Sequence, residues 1–409
     1  MNQASDIGAT RKAPDEGSRG ERASVSIVIP ARNAARSLAR NLDALARSEV
    51  RPDQVVVVDD GSTDGTASLA KSRDAAVVSL SPGRGPAVAR NRGVAASRGS
   101  ILLFLDADVV PLPDLVGRVV RFFEDEPGVA AIFGSYDDRP EEPNLVSQFR
   151  NLWHHYVHQK ARPVASTFWT GCGAVRAEAF RAVGGFSEAS DEPAIEDIEL
   201  GRRLRRAGFE IRLVHDLTVT HLKRWTLASM TRTDVMNRAL PWARLMFREG
   251  ALPDDLNLAR SQRASALAVL GLLASLAVAS LRQPLLFAWI PFLGALLALV
   301  DRAADARPPG RDPALAVGAA TLVLGTIALI GRAPAAGFAP AAGFAAAALL
   351  LNGGWISFLI RERGLAFALL SIPLHWLYYS YSVATFAWVW FEQRVLARRM
   401  ARAAIGHAG

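Results

Sequence analysis

The sequence predicts an α/β fold, a Rossmann-like, mainly parallel sheet flanked by helices, followed by an all-α region of apolar helices. Three observations carry this. Short apolar runs alternate with helical patterns from Val25 to Leu105. Polar clusters follow directly on three of the predicted strands. Nearly all Asp and Glu lie in residues 1–260, whereas Ala, Leu, Val, Phe and Trp dominate 264–391. Strand–helix–strand repeats with short connections imply parallel pairing with both faces covered.

The elements read in order. Val25–Ile29 is a strand and Ala34–Ala46 a helix; Gln54–Val58 is a β-branched strand and Asp64–Ser72 a helix. Ala76–Leu80 is a short strand, Gly85–Ser97 a helix and Ile101–Leu105 a fully apolar strand. Pro30-Ala31-Arg32-Asn33, Asp59-Asp60-Gly61-Ser62 and Asp106-Ala107-Asp108 stand at strand ends, the edge where open α/β sheets bind ligands. Residues 129–225 are less regular. They hold Phe168-Trp169-Thr170-Gly171-Cys172-Gly173, Gly184-Gly185-Phe186 and Glu196-Asp197-Ile198-Glu199-Leu200, the last opening a helix that stops at Gly208.

Residues 1–23, rich in Gly, Ser and charge, read as a disordered tail, and 24–225 as the catalytic unit. Residues 226–263 are amphipathic, with Trp225, Leu227, Met230, Leu240, Trp242, Leu245 and Phe247 among basic residues; a membrane-interface helix and an ordinary core helix both fit. Apolar stretches at 264–281, 284–300, 314–331, 335–351 and 365–391 approach the roughly 20 residues that a span needs. Arg residues flank them, and 392–409 form a basic tail. Positive charge on the cytosolic side of both ends requires an even number of crossings, so four is preferred to five.

Net charge is +8, but the Arg residues cluster near the apolar stretches rather than in one stripe. That pattern fits membrane lipids and gives no nucleic-acid partner. The single cysteine, Cys172, excludes an internal disulfide and a cysteine-based metal site, and fits a catalytic part facing a reducing cytosol. No early apolar run has signal-peptide length.

Each motif has its own chemistry. A carboxylate at Asp59 or Asp60 can accept hydrogen bonds from a base and a ribose, with Gly61 letting the backbone turn close; a turn into a capped helix also fits. Asp106 and Asp108 point to one side of an extended strand end, so they can share a divalent ion with a diphosphate. Gly83–Asn91 opens a helix, where Arg90 reaches a phosphate or lies on a solvated face. Glu196-Asp197 complements a helix N-terminus or supplies a base.

Together and in this order, Ser26–Asn33, Val57–Thr66, Phe104–Asp108, Gly184–Phe186 and Glu196–Leu200 with Arg203-Leu204 resemble the family 2 glycosyltransferases, whose fold is called GT-A. The resemblance covers 24–225. It implies a nucleotide-sugar donor bound by Pro30, Ala31, Arg32, Asp59, Asp60, Gly61, Arg90 and Asp106. It implies Mg²⁺ or Mn²⁺ at Asp106 and Asp108, with His221 as a further contact or a structural residue. Asp197 becomes the catalytic base, Glu196 orients the acceptor, and Trp169, Thr170, Gly171, Gly185 and Phe186 shape the acceptor site. His221-Leu222-Lys223-Arg224-Trp225 departs from the Q-x-x-R-W motif of processive synthases by its His.

The expectation is therefore an inverting, membrane-bound transferase of the cytoplasmic membrane, acting on a hydroxyl of a lipid or lipid-linked glycan. A polyprenyl-phosphate acceptor is the alternative, and an anionic phosphate needs no base. A non-catalytic scaffold would be expected to lack Asp106, Asp108 or Asp197, and a transporter would carry acidic residues within its apolar stretches. His375–Tyr381 reads as an aromatic belt or helix packing.

Overall fold

A computed structural model describes residues 23–188, 195–250, 256, 259–282, 289–303, 315–323 and 335–406. The expected disordered tail before Ala23, the loop at 304–313 and parts of the apolar stretches at 284–288 and 324–331 lie outside the described residues.

Eight strands build one sheet: β1 Val25–Ala31, β2 Gln54–Asp60, β3 Ala76–Leu80, β4 Ile101–Leu105, β5 Val109–Pro111, β6 Val129–Tyr136, β7 Cys172–Arg176 and β8 Glu210–His221. Their order is β3-β2-β1-β4-β7-β6-β8-β5. The half from β3 to β4 is parallel, as the repeats require. Beyond β4 the expectation of a mainly parallel sheet gives way to a mixed one. β7 starts at the carboxyl end of β4, with Cys172 opposite Leu105, and so runs back antiparallel. It is antiparallel to β6 as well, while β6 and β8 are parallel. This reversal holds the turn before Cys172 at the same edge as Asp106.

Alternate residues of the inner strands feed opposite faces. Ile27, Ile29, Val57, Leu103 and Leu105 pack under helices α1 (Ala35–Leu45) and α4 (Leu115–Asp125). Helix α2 (Thr66–Lys71) follows β2. Val28, Leu102 and Phe104 face α3 (Pro86–Ala95), α6 (Ala177–Ala182) and α7 (Glu196–Arg206). All five β4 residues are buried, each contributing about 1.5–3 kcal/mol by burial alone. Gly93 lets α3 sit tight on the sheet: a Cβ there would lie 2.4 Å from Val28 Cγ1.

Helix α5 (Leu145–Lys160) joins the sheet unit to the C-terminal helices. Those are α8 Leu227–Arg232, a π-helical stretch Thr233–Ala239, α9 Leu240–Glu249, α10 Arg260–Arg282, α11 Trp289–Ala303, α12 at 315–323, α13 Ala335–Leu351, α14 Gly353–Arg363 and α15 Leu365–Gly406. Phe149, Leu152 and Trp153 of α5 are buried with Trp355, Leu370 and Leu374. Polar ties reinforce the joint. Asn144 Nδ2 and the Val146 amide both donate to Asp301 Oδ1, at 2.8 and 2.9 Å. Asp234 accepts from Arg150 at 2.9 Å, Arg238 at 2.8 Å and the Tyr381 hydroxyl at 2.6 Å.

The amphipathic region turns much of its apolar side inward. Ala243 and Met246 are buried with Val389 of α15, and Leu240, Trp242 and Phe247 pack around them. His375 contacts Asn352 Oδ1 and the Tyr379 hydroxyl at 3.1 and 3.2 Å, and Tyr379 donates to Gln262 Oε1 at 2.7 Å. The His375–Tyr381 segment therefore serves helix packing across α10, α13, α14 and α15.

Among the described residues one helix, Arg260–Ala279, is alone long and apolar enough to cross a membrane, with mean hydropathy 1.6. The pair Ala339–Leu351 and Gly353–Arg363, bent by 65°, meets the same test together. The sequence reading counted four crossings, and the described residues give up to two such spans. The break at Asn352-Gly353 and the separate helix α14 carry no apolar-run signal, which is why the sequence reading missed them.

Removing the Asp234 carboxylate would leave the buried Arg150 guanidinium without its partner. Asp234→Ala is expected to lower stability by about 3–5 kcal/mol, read as a fall in the thermal unfolding midpoint of the purified chain. An unchanged midpoint would mean that the joint does not depend on this cluster.

Candidate active site

Three strand ends and two later segments meet at the carboxyl edge of the sheet. Asp59 and Asp60 close β2 and are both buried. Asp60 accepts the Arg84 amide at 2.6 Å and the Gly85 amide at 2.9 Å, so it shapes the loop before α3. Gly61, at φ +71, lies against that loop; a Cβ would be 2.6 Å from Gly83 N. Asp59 Oδ1 accepts the Ser62 amide at 3.1 Å. Asn33 ties the β1 end to the same turn by accepting the Thr63 amide at 2.8 Å. Pro30 and Ala31 end β1, and Arg32 beside them is exposed. These residues form one wall whose backbone is fixed by its own carboxylates.

Arg90 lies at the centre. It is buried, donating from Nη1 to Glu196 Oε1 at 2.5 Å and from Nη2 to Asp106 Oδ1 at 3.0 Å. Of the two expectations for Arg90, a phosphate contact or a solvated helix face, burial excludes the solvated face. Its guanidinium is already held by two carboxylates, which satisfy the charge that burial would otherwise leave uncompensated. Glu196, expected to orient the acceptor, is likewise engaged with Arg90. Burial pushes Asp106 up, and Arg90 opposes that shift. Sequence alone had no means of pairing three residues from α3, β4 and α7.

Asp197 is differently placed. Its Oδ2 accepts from the Thr170 amide at 3.3 Å and the Thr170 hydroxyl at 3.4 Å, and its Oδ1 from the Ile198 amide at 2.8 Å. It has no ion pair of its own among the described residues. Desolvation and the neighbouring Glu196 charge push it up to about 7, with Arg90 and the two amides pulling the other way. A carboxylate with that value is suited to take a proton near neutral pH.

Asp108 follows β4, and His221 ends β8. Val109 pairs with His221 across the antiparallel β5–β8 ladder, which brings His221 Nε2 to 3.7 Å from Asp108 Oδ2. Burial works to raise Asp108, but hydrogen bonding and charge from His221, with charge from Lys223, hold it below the ordinary value. The His221 ring stacks on Tyr136, with centroids 4.0 Å apart and planes at 8°. Among the described residues no three His, Cys, Asp or Glu side chains converge closely enough to hold an ion by themselves. The donor set still fits a hard cation. Asp108 keeps about a third of its side chain exposed, and Mg²⁺-like ions usually take one or two carboxylates and complete their shell with water and substrate phosphates.

The Phe168–Gly173 turn faces this cluster. Gly171 packs against the Trp169 ring, where a Cβ would come within 2.2 Å. Trp169 is held edge-on by Tyr136 at 5.0 Å and beside His154 at 4.6 Å. Thr170 reaches Asp197. Gly185 and Phe186 stand further back: Phe186 is 2% exposed and packs on Phe104 and Phe180. Asn91 bonds both its amide and its carbonyl at 2.9 Å, and Arg203 donates to Gly185 O at 2.6 Å. The expected acceptor residues therefore divide into a group beside Asp197, Trp169 and Thr170 with Gly171, and a pair packed further back, Gly185 and Phe186.

The structure adds Tyr136, His154 and His158, which the sequence reading passed over. They sit on β6 and α5, where no recognisable motif marks them. Burial, His158 and Arg150 hold His154 well below its ordinary value, so it is neutral near pH 7. Burial and the nearby Asp106 push the Cys172 thiol up to about 12, which keeps it protonated and inert.

Residues 26–184 match the family model described as Glycosyl transferase family 2. The succinoglycan biosynthesis protein ExoU of Rhizobium meliloti is 42% identical over 101 residues, 24% of this chain and 29% of that protein. The pre-mycofactocin glycosyltransferase of Mycobacterium tuberculosis is 32% identical over 206 residues, 48% of this chain and 42% of that protein. The chain thus spans less than half the length of either relative. The mannosyltransferase PcManGT from Pyrobaculum calidifontis, solved with GDP-Man and Mn²⁺, aligns over 90% of this chain and 88% of its own at 20% identity and a TM-score of 0.48.

The raised Asp197 has a consequence for stability. From its unfolded value of 3.8 up to about 7, the unfolded chain has lost this proton while the folded chain keeps it. Folding is therefore progressively penalised as pH rises through that window, and the penalty is complete above it. Asp197→Asn removes the penalty. At pH 8 the variant is expected to be more stable than the parent by up to about 4 kcal/mol, with the difference vanishing near pH 4. Thermal midpoints across pH check this, and a constant difference would contradict it.

Proposed function

We propose that this chain is a membrane-bound, inverting glycosyltransferase. In this reading it moves a sugar from a nucleotide-sugar donor to a hydroxyl of a lipid or lipid-linked glycan, with Asp197 as base. The observation that carries the reading is Asp197 itself: a cleft carboxylate beside the Arg90–Glu196–Asp106 cluster, held by Thr170 and raised to about 7. A phosphate acceptor would need no such group, so its presence favours a hydroxyl over a polyprenyl phosphate. The family 2 match and the names of relatives that build succinoglycan or glycosylate pre-mycofactocin support sugar transfer.

The residues divide the work. Asp59, with Pro30, Ala31 and Gly61 around it, binds the nucleoside. Asp108, with Asp106 and His221 beside it, would hold a divalent ion such as Mg²⁺ or Mn²⁺. That ion would supply positive charge against the donor diphosphate. Arg90 fixes the Asp106 and Glu196 carboxylates without entering the reaction. Trp169 and Thr170 border the acceptor. The acceptor oxygen attacks the anomeric carbon, its proton passes to the Asp197 carboxylate, and the bond from the anomeric carbon to the phosphate oxygen breaks. The electron pair leaves with the nucleoside diphosphate. One displacement inverts the anomeric configuration.

Membrane association rests on Arg260–Ala279, the bent pair α13–α14 and the Arg residues near them. A catalytic unit on the cytosolic side agrees with its single, buried thiol.

Nucleoside diphosphate release by the detergent-purified chain tests the proposal, using UDP-, GDP- and dTDP-sugars with Mn²⁺ or Mg²⁺ and a bacterial lipid extract. Lipid-stimulated, metal-dependent release from one donor is expected. Asp197→Asn should slow it by about 10²–10⁴-fold, and the parent's rate should fall as pH drops through about 7. Release that survives in the variant would point to a phosphate acceptor. No release from any donor, with nucleotide still bound, would point to a non-catalytic role.

A further inference from the structure

Away from the catalytic cleft, α5 and α14 enclose a cavity of about 350 Å³. Its walls include Tyr156 and Lys160 of α5 and Gly354, Phe358 and Arg361 of α14. Two features define what it can take. The first is charge. Lys160 and Arg361 are exposed at its rim, and neither has a carboxylate partner among the described residues. Gln159, also on the wall, donates its Nε2 to His215 O at 2.6 Å, which leaves Lys160 and Arg361 as the charged groups of the lining. The second is an aromatic floor. The Tyr156 ring lies 5.2 Å from Trp355 and 5.4 Å from Phe358. Gly354 lets the Tyr156 hydroxyl approach α14 closely, since a Cβ there would come within 2.8 Å of it.

The surroundings select the source of the ligand. α14 is the second half of the bent apolar pair, and Leu350 at its entry is 82% exposed. Ile360, next to Arg361, and Leu365 just beyond are exposed too. Phe358 lines the pocket, and the exposed apolar residues lie close to Gly354 and Arg361 in the chain, a combination that suits an amphiphile better than a soluble anion.

We propose that this pocket binds the phosphate of an anionic membrane-lipid headgroup. The Arg361 guanidinium and the Lys160 ammonium face the phosphate oxygens, the polar part of the headgroup rests on Tyr156, and the acyl chains run along the exposed side chains of α13 and α14. The same stretch of α5 carries His154, which packs on Trp169 at the cleft, so the headgroup would orient the catalytic unit against the membrane surface. This inference rests on the membrane association proposed above and is independent of the transfer reaction.

Native mass spectrometry of the full chain in detergent tests it, with dioctanoyl phosphatidylglycerol, dioctanoyl phosphatidylcholine and inorganic phosphate as probes. Phosphatidylglycerol is expected to fill one saturable site, with the other two binding far more weakly. The double variant Lys160→Gln/Arg361→Gln should weaken phosphatidylglycerol binding about thirtyfold at an unchanged thermal midpoint. If that variant unfolds, each single substitution should weaken it about fivefold. Equal binding by parent and variants overturns the proposal, and so does phosphate binding as tightly as the lipid, which would make this a soluble-anion site. Co-sedimentation of the parent with phosphatidylcholine vesicles reads membrane association by itself. Nucleoside diphosphate release from the same preparations reads the transfer reaction, so the three failures are distinguishable.

Discussion

The site is organised around one buried cation. Arg90 reaches from α3 to Asp106 at the end of β4 and to Glu196 at the start of α7. A guanidinium out of water is tolerated only where carboxylates meet it with good geometry, and here two do. The pairing fixes the two acidic motifs relative to each other although 90 residues separate them in the chain. It also leaves Asp197, the next residue along, beside a spent cation rather than a free one. Burial and the adjacent Glu196 charge raise its carboxyl, and Arg90 opposes them only in part.

A second constraint is α5. Its sequence belongs with the sheet, and His154 and His158 indeed pack under Trp169. Phe149, Leu152 and Trp153 of the same helix are buried among the C-terminal helices. One helix therefore touches Trp169 beside the candidate site and the apolar region at once. Asp301 and Asp234 add buried polar contacts to this joint, and such contacts tolerate little displacement once desolvated. The apolar helices are thus packed against the catalytic unit rather than strung from it.

Much of the fold was legible in the sequence because it is written locally. β1, β2, β3 and β4 are short β-branched or apolar runs, and their polar ends announced Asp59, Asp60, Asp106 and Asp108 at one edge. Antiparallel β7 was not legible, since its direction follows from where Cys172 meets Leu105. The Arg90 contacts to Asp106 and Glu196 were not legible either, because the two carboxylates come from distant segments. Phe186 was given to the acceptor by its motif, whereas three-dimensional packing turns it to the core. Tyr136 and His154 left no trace, being aromatic and imidazole side chains on ordinary core elements. The helix break at Asn352 was hidden because it falls where the apolar run at 335–351 ends, and the segment after it has no such run.

The central claim is that a nucleotide diphosphate and its metal lie against Asp59 and Asp108 while Arg90 remains a scaffold for Asp106 and Glu196. A crystal or cryo-EM structure of the chain with Mn²⁺ and the nucleoside diphosphate of its donor tests this most directly. The account predicts the ion on Asp108 and the diphosphate, the base beside Asp59, and Arg90 still bonded to both carboxylates. Arg90 found on a phosphate with Glu196 released, or the nucleotide bound away from Asp59, would contradict it.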